Sequence, residues 1–171
     1  MHASFTIRMA AGRDHDRATL LWSAPLVLVV GLLLGPTTGL MAGAAFVVGG
    51  LWLSPDLDTR SNALRRWGPL AFLWWPYRRL IPHRSFWSHG PLIGTATRLA
   101  VLLGWLTLLK GITGWPNPAA LEAASRWLEL HPNQGWTLLL ALEASLWLHL
   151  ILDGDPLPAE WSRQQRRQRR R

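Results

Sequence analysis

Eight residues of two chemical types gather in pairs near the ends of apolar stretches: His15 and Asp16, Asp56 and Asp58, His83 and His89, His149 and Asp153. Imidazole and carboxylate are ligands for hard or borderline divalent ions. The 171-residue chain has no cysteine, so thiolate sites and disulfides are excluded and any metal must be held by these groups. His149 and Asp153 are spaced i, i+4, which on a helix puts both on one face and within reach of one ion. Asp56 and Asp58, in Ser54-Pro55-Asp56-Leu57-Asp58, are spaced i, i+2. In an extended segment their side chains share a side and serve one metal or bridge two. The looser spacing of His83 and His89 is not diagnostic. Singly, each pair has an ordinary reading as an interfacial or capping histidine, or as a helix end and turn. Several elements supplying the same ligand types argue for a site.

Four apolar blocks must position them: roughly 20–34, 38–53, 91–109 and 135–152. A spanning helix needs about 20 residues, and the last two blocks satisfy that directly. The first two are shorter and are joined by Gly35-Pro36-Thr37-Thr38-Gly39, a turn-forming string suited to an antiparallel hairpin. Charges are scarce within the blocks and crowded between them, and the chain carries 12 tryptophans, as expected of bilayer helices with aromatic ends. The expected fold is therefore all-α, a polytopic membrane bundle of about four transmembrane helices. Pro55 disfavours helix at Ser54, so the second helix is expected to end there.

Basic residues set the expected orientation. Arg8, Arg13 and Arg17 precede the first block, and Arg60, Arg65, Arg66, Arg78, Arg79 and Arg84 lie between the second and third. The turn after the first block has no basic residue, and the connection after the third has only Lys110 and Arg126, offset by Glu122 and Glu129. By the excess of Arg in cytoplasmic loops, both termini are cytoplasmic and the expected location is the plasma (inner) membrane. The paired His and Asp residues all fall on that same side, an observation independent of the Arg distribution. His2 and His131 lack such company and stay outside the candidate set.

Residues 1–158 are expected to form one membrane-embedded metal-binding domain, and residues 159–171 a disordered Arg-rich cytoplasmic tail. The net charge of +8 suits anionic lipid as the tail's partner. From Arg163 onward the tail has no aromatic residue for base stacking, and nucleic acid is not expected as a partner. Two charges inside apolar blocks, Arg98 and Glu143, should lie at similar depth on antiparallel helices and are expected to form an ion pair beneath the site.

Several strings together resemble a bacterial membrane family, the metal-binding proteins of the domain-of-unknown-function 2227 group. They are Gly12-Arg13-Asp14-His15-Asp16, Ser54-Pro55-Asp56-Leu57-Asp58, Arg66-Trp67-Gly68-Pro69, Trp75-Pro76-Tyr77, His83-Arg84-Ser85-Phe86-Trp87-Ser88-His89-Gly90-Pro91 and His149-Leu150-Ile151-Leu152-Asp153. That group looks related to the YdjM-type membrane-bound metal-dependent hydrolases. The resemblance implies ligand roles for His15, Asp56, Asp58, His83, His89, His149 and Asp153, and a chain start near Met9.

A ligand set of this size exceeds what one tetrahedral Zn²⁺ uses, so two or more divalent ions, Zn²⁺ foremost, are expected. The corresponding activity is hydrolysis of a phosphoester or polar lipid at the cytoplasmic face, with the metal activating water. Asp56 or Asp58 would be the general base, and Arg84 would hold a phosphate oxygen. Ser85 and Ser88 read as supporting or turn residues rather than nucleophiles. The rival reading is a non-catalytic metal-binding or structural membrane protein.

Overall fold

A computed structural model describes residues 12–154. The Arg-rich tail, the end of the domain at 158, Met9 and His2 lie outside the described residues. The chain is all-helical there, with four helices long and apolar enough to cross a membrane. They are α1 (Gly12–Leu34), the stretch Pro36–Asp58 in which α2 (Pro36–Leu51) runs on into a short 3₁₀ turn, α6 (Ile93–Thr113) and α8 (Pro132–Leu152). Between α2 and α6 the chain runs through a 3₁₀ turn (Pro55–Asp58), α3 (Asn62–Arg66), a 3₁₀ stretch (Gly68–Trp74), α4 (Trp75–Leu80) and α5 (Phe86–His89). The remaining element, α7 (Pro118–Leu130), precedes α8.

The hairpin of α1 and α2 turns at Gly35, whose φ of 94° is open to glycine at little cost. Below the turn the two backbones touch. A Cβ on Gly39 would lie 2.5 Å from the Val27 carbonyl oxygen and 2.7 Å from the Gly31 Cα. Small residues that admit such close approach are what pack helices where apolar burial gives no driving force. Helix α8 lies against the other side of α2, and Ala42, Ala45, Phe46 and Ala141 form the buried centre of this three-helix unit. By contrast α6 buries only Gly94 and Arg98 and joins the rest chiefly through α5. Exposed large apolar side chains, among them Leu21, Leu32, Leu33, Ile112 and Leu140, cover the outward faces. Large apolar surfaces of this kind are foreign to a water-soluble monomer.

A second core sits at the end where α1 begins and α2 and α8 finish. Leu57, Ala63, Leu64, Trp74 and Tyr77 are buried together there, with Trp67 and Trp74 meeting edge to face. The short helices of residues 55–89 thus fold as a cap over that end of the bundle.

Two differences from the sequence expectations concern this architecture. His15 and Asp16 do not precede the first helix; they lie in its opening turns, because α1 begins well before the apolar block at Leu20. Asp56 and Asp58 occupy a 3₁₀ turn rather than an extended segment. With three residues per turn, positions two apart point in different directions, so the two carboxylates diverge. The connection after α6 carries α7, a helix with no buried residue.

Candidate metal centre

Each ligand-type side chain is delivered by a local structural cause. The Ser54 hydroxyl accepts from the Asp56 N–H at 3.4 Å, and Pro55 supplies the first position of the 3₁₀ turn. Gly50 lets α1 approach α2 at this level, since a Cβ there would lie 2.5 Å from the Thr19 side chain. Thr19 donates to the His15 carbonyl at 2.9 Å, one turn back along α1. These contacts bring the start of α1 beside the end of α2. His149 is one turn from the end of α8, and Asp153 caps that helix.

Five of the expected ligands converge. His15, His149 and Asp153 form one group whose ligand atoms lie within 4.8 Å of one another, and Asp56, His89 and His149 form a second. In the first, His15 Nε2 is 3.1 Å from Asp153 Oδ1 and His149 Nε2 is 3.5 Å from Asp153 Oδ2. The His15 and His149 rings stack with centroids 4.2 Å apart. In the second, His89 Nε2 and His149 Nε2 each lie 3.7 Å from Asp56 Oδ1. Burial alone would raise the Asp153 carboxyl, but the His149 and His15 imidazoles outweigh it and hold the group well below the usual carboxylate range.

The donor set fits a metal ion. His89 Nε2 and His149 Nε2 are buried without a hydrogen-bond partner, an arrangement that costs free energy unless something else engages the nitrogen lone pairs. Both atoms face the same Asp56 oxygen. One imidazole nitrogen offers one lone pair, so His149 Nε2 can serve one ion at a time although it belongs to both groups. The carboxylates of Asp56 and Asp153, each with two oxygens, are the groups able to be shared.

Asp58 and His83 stand beside these triads. Asp58 is buried, and its Oδ1 accepts from His83 Nδ1 at 2.9 Å. Its Oδ2 accepts from the Arg84 N–H at 3.4 Å and lies 3.8 Å from His89 Nδ1. Ser88 Oγ is 2.9 Å from that same His89 nitrogen. This network assigns the His89 proton to Nδ1, so that Nε2 presents its lone pair to the site. Arg84 holds a φ of 54°, a strained value for a residue with a side chain, and the strain aims its N–H at Asp58. The Arg84 guanidinium lies 3.5 Å from Asp153 Oδ2. Asp16 is drawn away from the ligands, pairing with Arg66 at 2.6 Å and accepting from Asn62 at 3.2 Å.

The Arg98–Glu143 ion pair does not form directly. Arg98 donates to the Ser88 carbonyl at 2.8 Å and to the Thr95 hydroxyl at 3.1 Å, while Glu143 accepts from the Leu92 N–H at 2.8 Å. Both charges are spent on the α5–α6 junction, where Gly90 and Pro91 break the helix and leave backbone groups to satisfy. Depth along the helices follows from residue spacing, whereas the break at Gly90-Pro91 that redirects both side chains does not.

A cavity of about 600 Å³ is lined by His15 and Asp56 together with Arg13, Arg60 and Arg65. In the sequence these arginines speak for topology; the meeting of Arg65 with Arg13 and Arg60 depends on α3, which hydropathy does not reveal.

Fold and site together define an all-helical protein that gathers His and Asp groups able to hold a metal ion at one end of a bundle of membrane-length helices. The chain belongs to the DUF2227 family of uncharacterized metal-binding proteins, whose model matches residues 10–165. It is also similar to an uncharacterized protein of Aquifex aeolicus (strain VF5), 39% identical over 122 residues, which are 65% of this chain and 86% of the relative. No solved structure matches.

Proposed function

We propose that this protein is a multi-pass membrane hydrolase that uses divalent metal, Zn²⁺ foremost, to cleave a phosphoester or polar lipid at the cytoplasmic face of the plasma membrane. The observation that carries the reading is the cavity of about 600 Å³ reaching His15 and Asp56, one ligand from each triad. A catalytic ion needs a position open to substrate, whereas a structural ion is closed off by its ligands. A bound divalent ion supplies water activation and charge stabilisation. His15, His89, His149, Asp56 and Asp153 would hold it. Asp56, whose side chain remains 30% exposed, is the carboxylate placed to take a proton from water in the cavity. Asp58 holds His83 and the Arg84 backbone, and so serves as a positioning residue. Arg84 lies against Asp153, which supports a role in fixing that ligand.

Sidedness rests on the Arg distribution, which supports a cytoplasmic position for the ligand end. The Arg-rich tail adds attraction to anionic lipid at about 1 kcal/mol per basic residue near the surface. The deep burial of His89 and His149 favours a second reading, an ion that only ties α5 to α8 and the cap. Metal-loaded protein assayed with generic phosphodiesters and with phospholipid vesicles separates the two. Turnover that disappears in His149→Ala supports the hydrolase; full metal occupancy with no turnover above that variant supports the structural ion.

A further inference from the structure

The cavity beside the triads has a charge pattern that the metal ligands do not account for. Its rim carries Arg13 from the first turn of α1, Arg60 from the loop after the 3₁₀ turn, and Arg65 from α3. Of its two carboxylates, Asp16 is already neutralised by Arg66, leaving Asp56 on the metal side. Arg65 donates to Asn62, which in turn donates to Asp16, so the Arg65 guanidinium is held in place at the wall. Arg13 and Arg60 are exposed and make no ion pair among the described residues. Three cations from three separate elements therefore face one space whose lining carboxylates are Asp16, paired with Arg66, and Asp56, which belongs to the ligand group. Like charges so placed repel, and the arrangement is relieved by an anionic guest.

We propose that this basin is a binding site for a phosphate group, with Arg13 and Arg60 gripping its oxygens opposite His15 and Asp56. Guanidinium groups match phosphate by paired, charge-assisted hydrogen bonds, and the volume falls within the range of ligand pockets. The inference rests on the catalytic reading of the metal centre and sharpens it: the phosphate is held by the arginines of the basin rather than by Arg84. Arg13 and Arg60 flank the ends of α1 and α2, at the level where those apolar helices leave off. Both a lipid headgroup and a free phosphate monoester present the required chemistry there.

The test uses the full chain in neutral detergent, titrated with inorganic phosphate and, separately, with dihexanoyl phosphatidate below its micellar concentration. The proposal expects the double variant Arg13→Ala/Arg60→Ala to weaken binding by about tenfold or more, with bound metal unchanged. The corresponding pair of Arg→Lys changes should recover part of the loss, because charge is kept while the paired geometry is not. Equal losses for both probes identify a free phosphate as sufficient; a loss confined to the phosphatidate identifies the headgroup. Wild-type protein that binds neither probe, or a double-Ala variant that binds both like wild type, overturns the proposal. Metal analysis of the same samples keeps the two readings apart. A metal-free chain whose phosphate binding still depends on the arginines sinks the catalytic reading alone.

Discussion

The two ends of the three-helix unit are built on opposite terms. At the Gly35 turn and below it, α1, α2 and α8 meet through glycine, alanine and apolar side chains, with backbone touching backbone at Gly31 and Gly39. At the other end α1 and α8 present His15, His149 and Asp153, the 3₁₀ turn after α2 adds Asp56, and close contact is replaced by a cluster of buried polar groups under a cap of short helices. The stem gains stability from shape. The ligand end places polar atoms, including the unpartnered nitrogens of His89 and His149, where they are costly without an ion. Stability and function are thus separated along the helix axis, and changes in one region should leave the other readable.

The largest break in this division comes from the stem. Gly39→Leu forces a side chain into the Val27 carbonyl and the Gly31 backbone, neither of which is a flexible tip. The expected loss is about 3 kcal/mol of stability, read as a lower thermal midpoint in detergent, with metal stoichiometry retained in the fraction that stays folded. A variant as stable as wild type would mean that the helices do not meet at Gly39.

At the ligand end a smaller, purely local effect is expected from Asp58→Asn. The substitution keeps the shape but removes the charge that orients His83 and sits near His89 Nδ1. Metal affinity should fall about 10- to 100-fold, the usual cost of losing the partner of a metal-bound histidine, while the thermal midpoint of metal-free protein moves little. Undiminished affinity would remove Asp58 from the positioning role.

These two regions were not equally legible in the sequence. The stems announced themselves: apolar length, the Gly35-Pro36 turn and the distribution of arginines led to α1, α2, α6 and α8, because a helix of membrane length leaves a composition signal that needs no knowledge of tertiary contacts. The cap left no such signal. Its helices are four to six residues long apart from the 3₁₀ stretch, and they are held by Trp74, Tyr77 and Leu57 packing together rather than by periodicity. So the residue types of the ligands were visible, as was their shared end, but not the direction each one takes. Asp56 and Asp58 diverge because of a 3₁₀ turn, and Arg98 and Glu143 turn to backbone groups because of a break at Gly90-Pro91. Both are local backbone geometries that residue spacing alone does not fix.

The gentlest probe of the contrast is Tyr77, the chain's single tyrosine, which lies in the cap core. Burial pushes its hydroxyl up to about 12 from 10.0, with the Arg98 charge opposing the shift. A raised acid favours the protonated form in the fold. Its contribution is therefore intact below pH 10 and is lost as pH rises toward 12. Tyrosinate absorbance should titrate near 12 in folded protein, and a midpoint near 10 would show that the cap is open.

The central claim is that the shared imidazole of His149 anchors a metal at this end of the bundle. Elemental analysis of purified full-length protein beside His149→Ala, with helical content followed by circular dichroism, tests it most directly. The account predicts about one equivalent or more of divalent metal in the wild type, a loss of most of it in the variant, and helix content unchanged. Wild-type protein with no bound metal after loading, or a variant that retains its full complement, would contradict it.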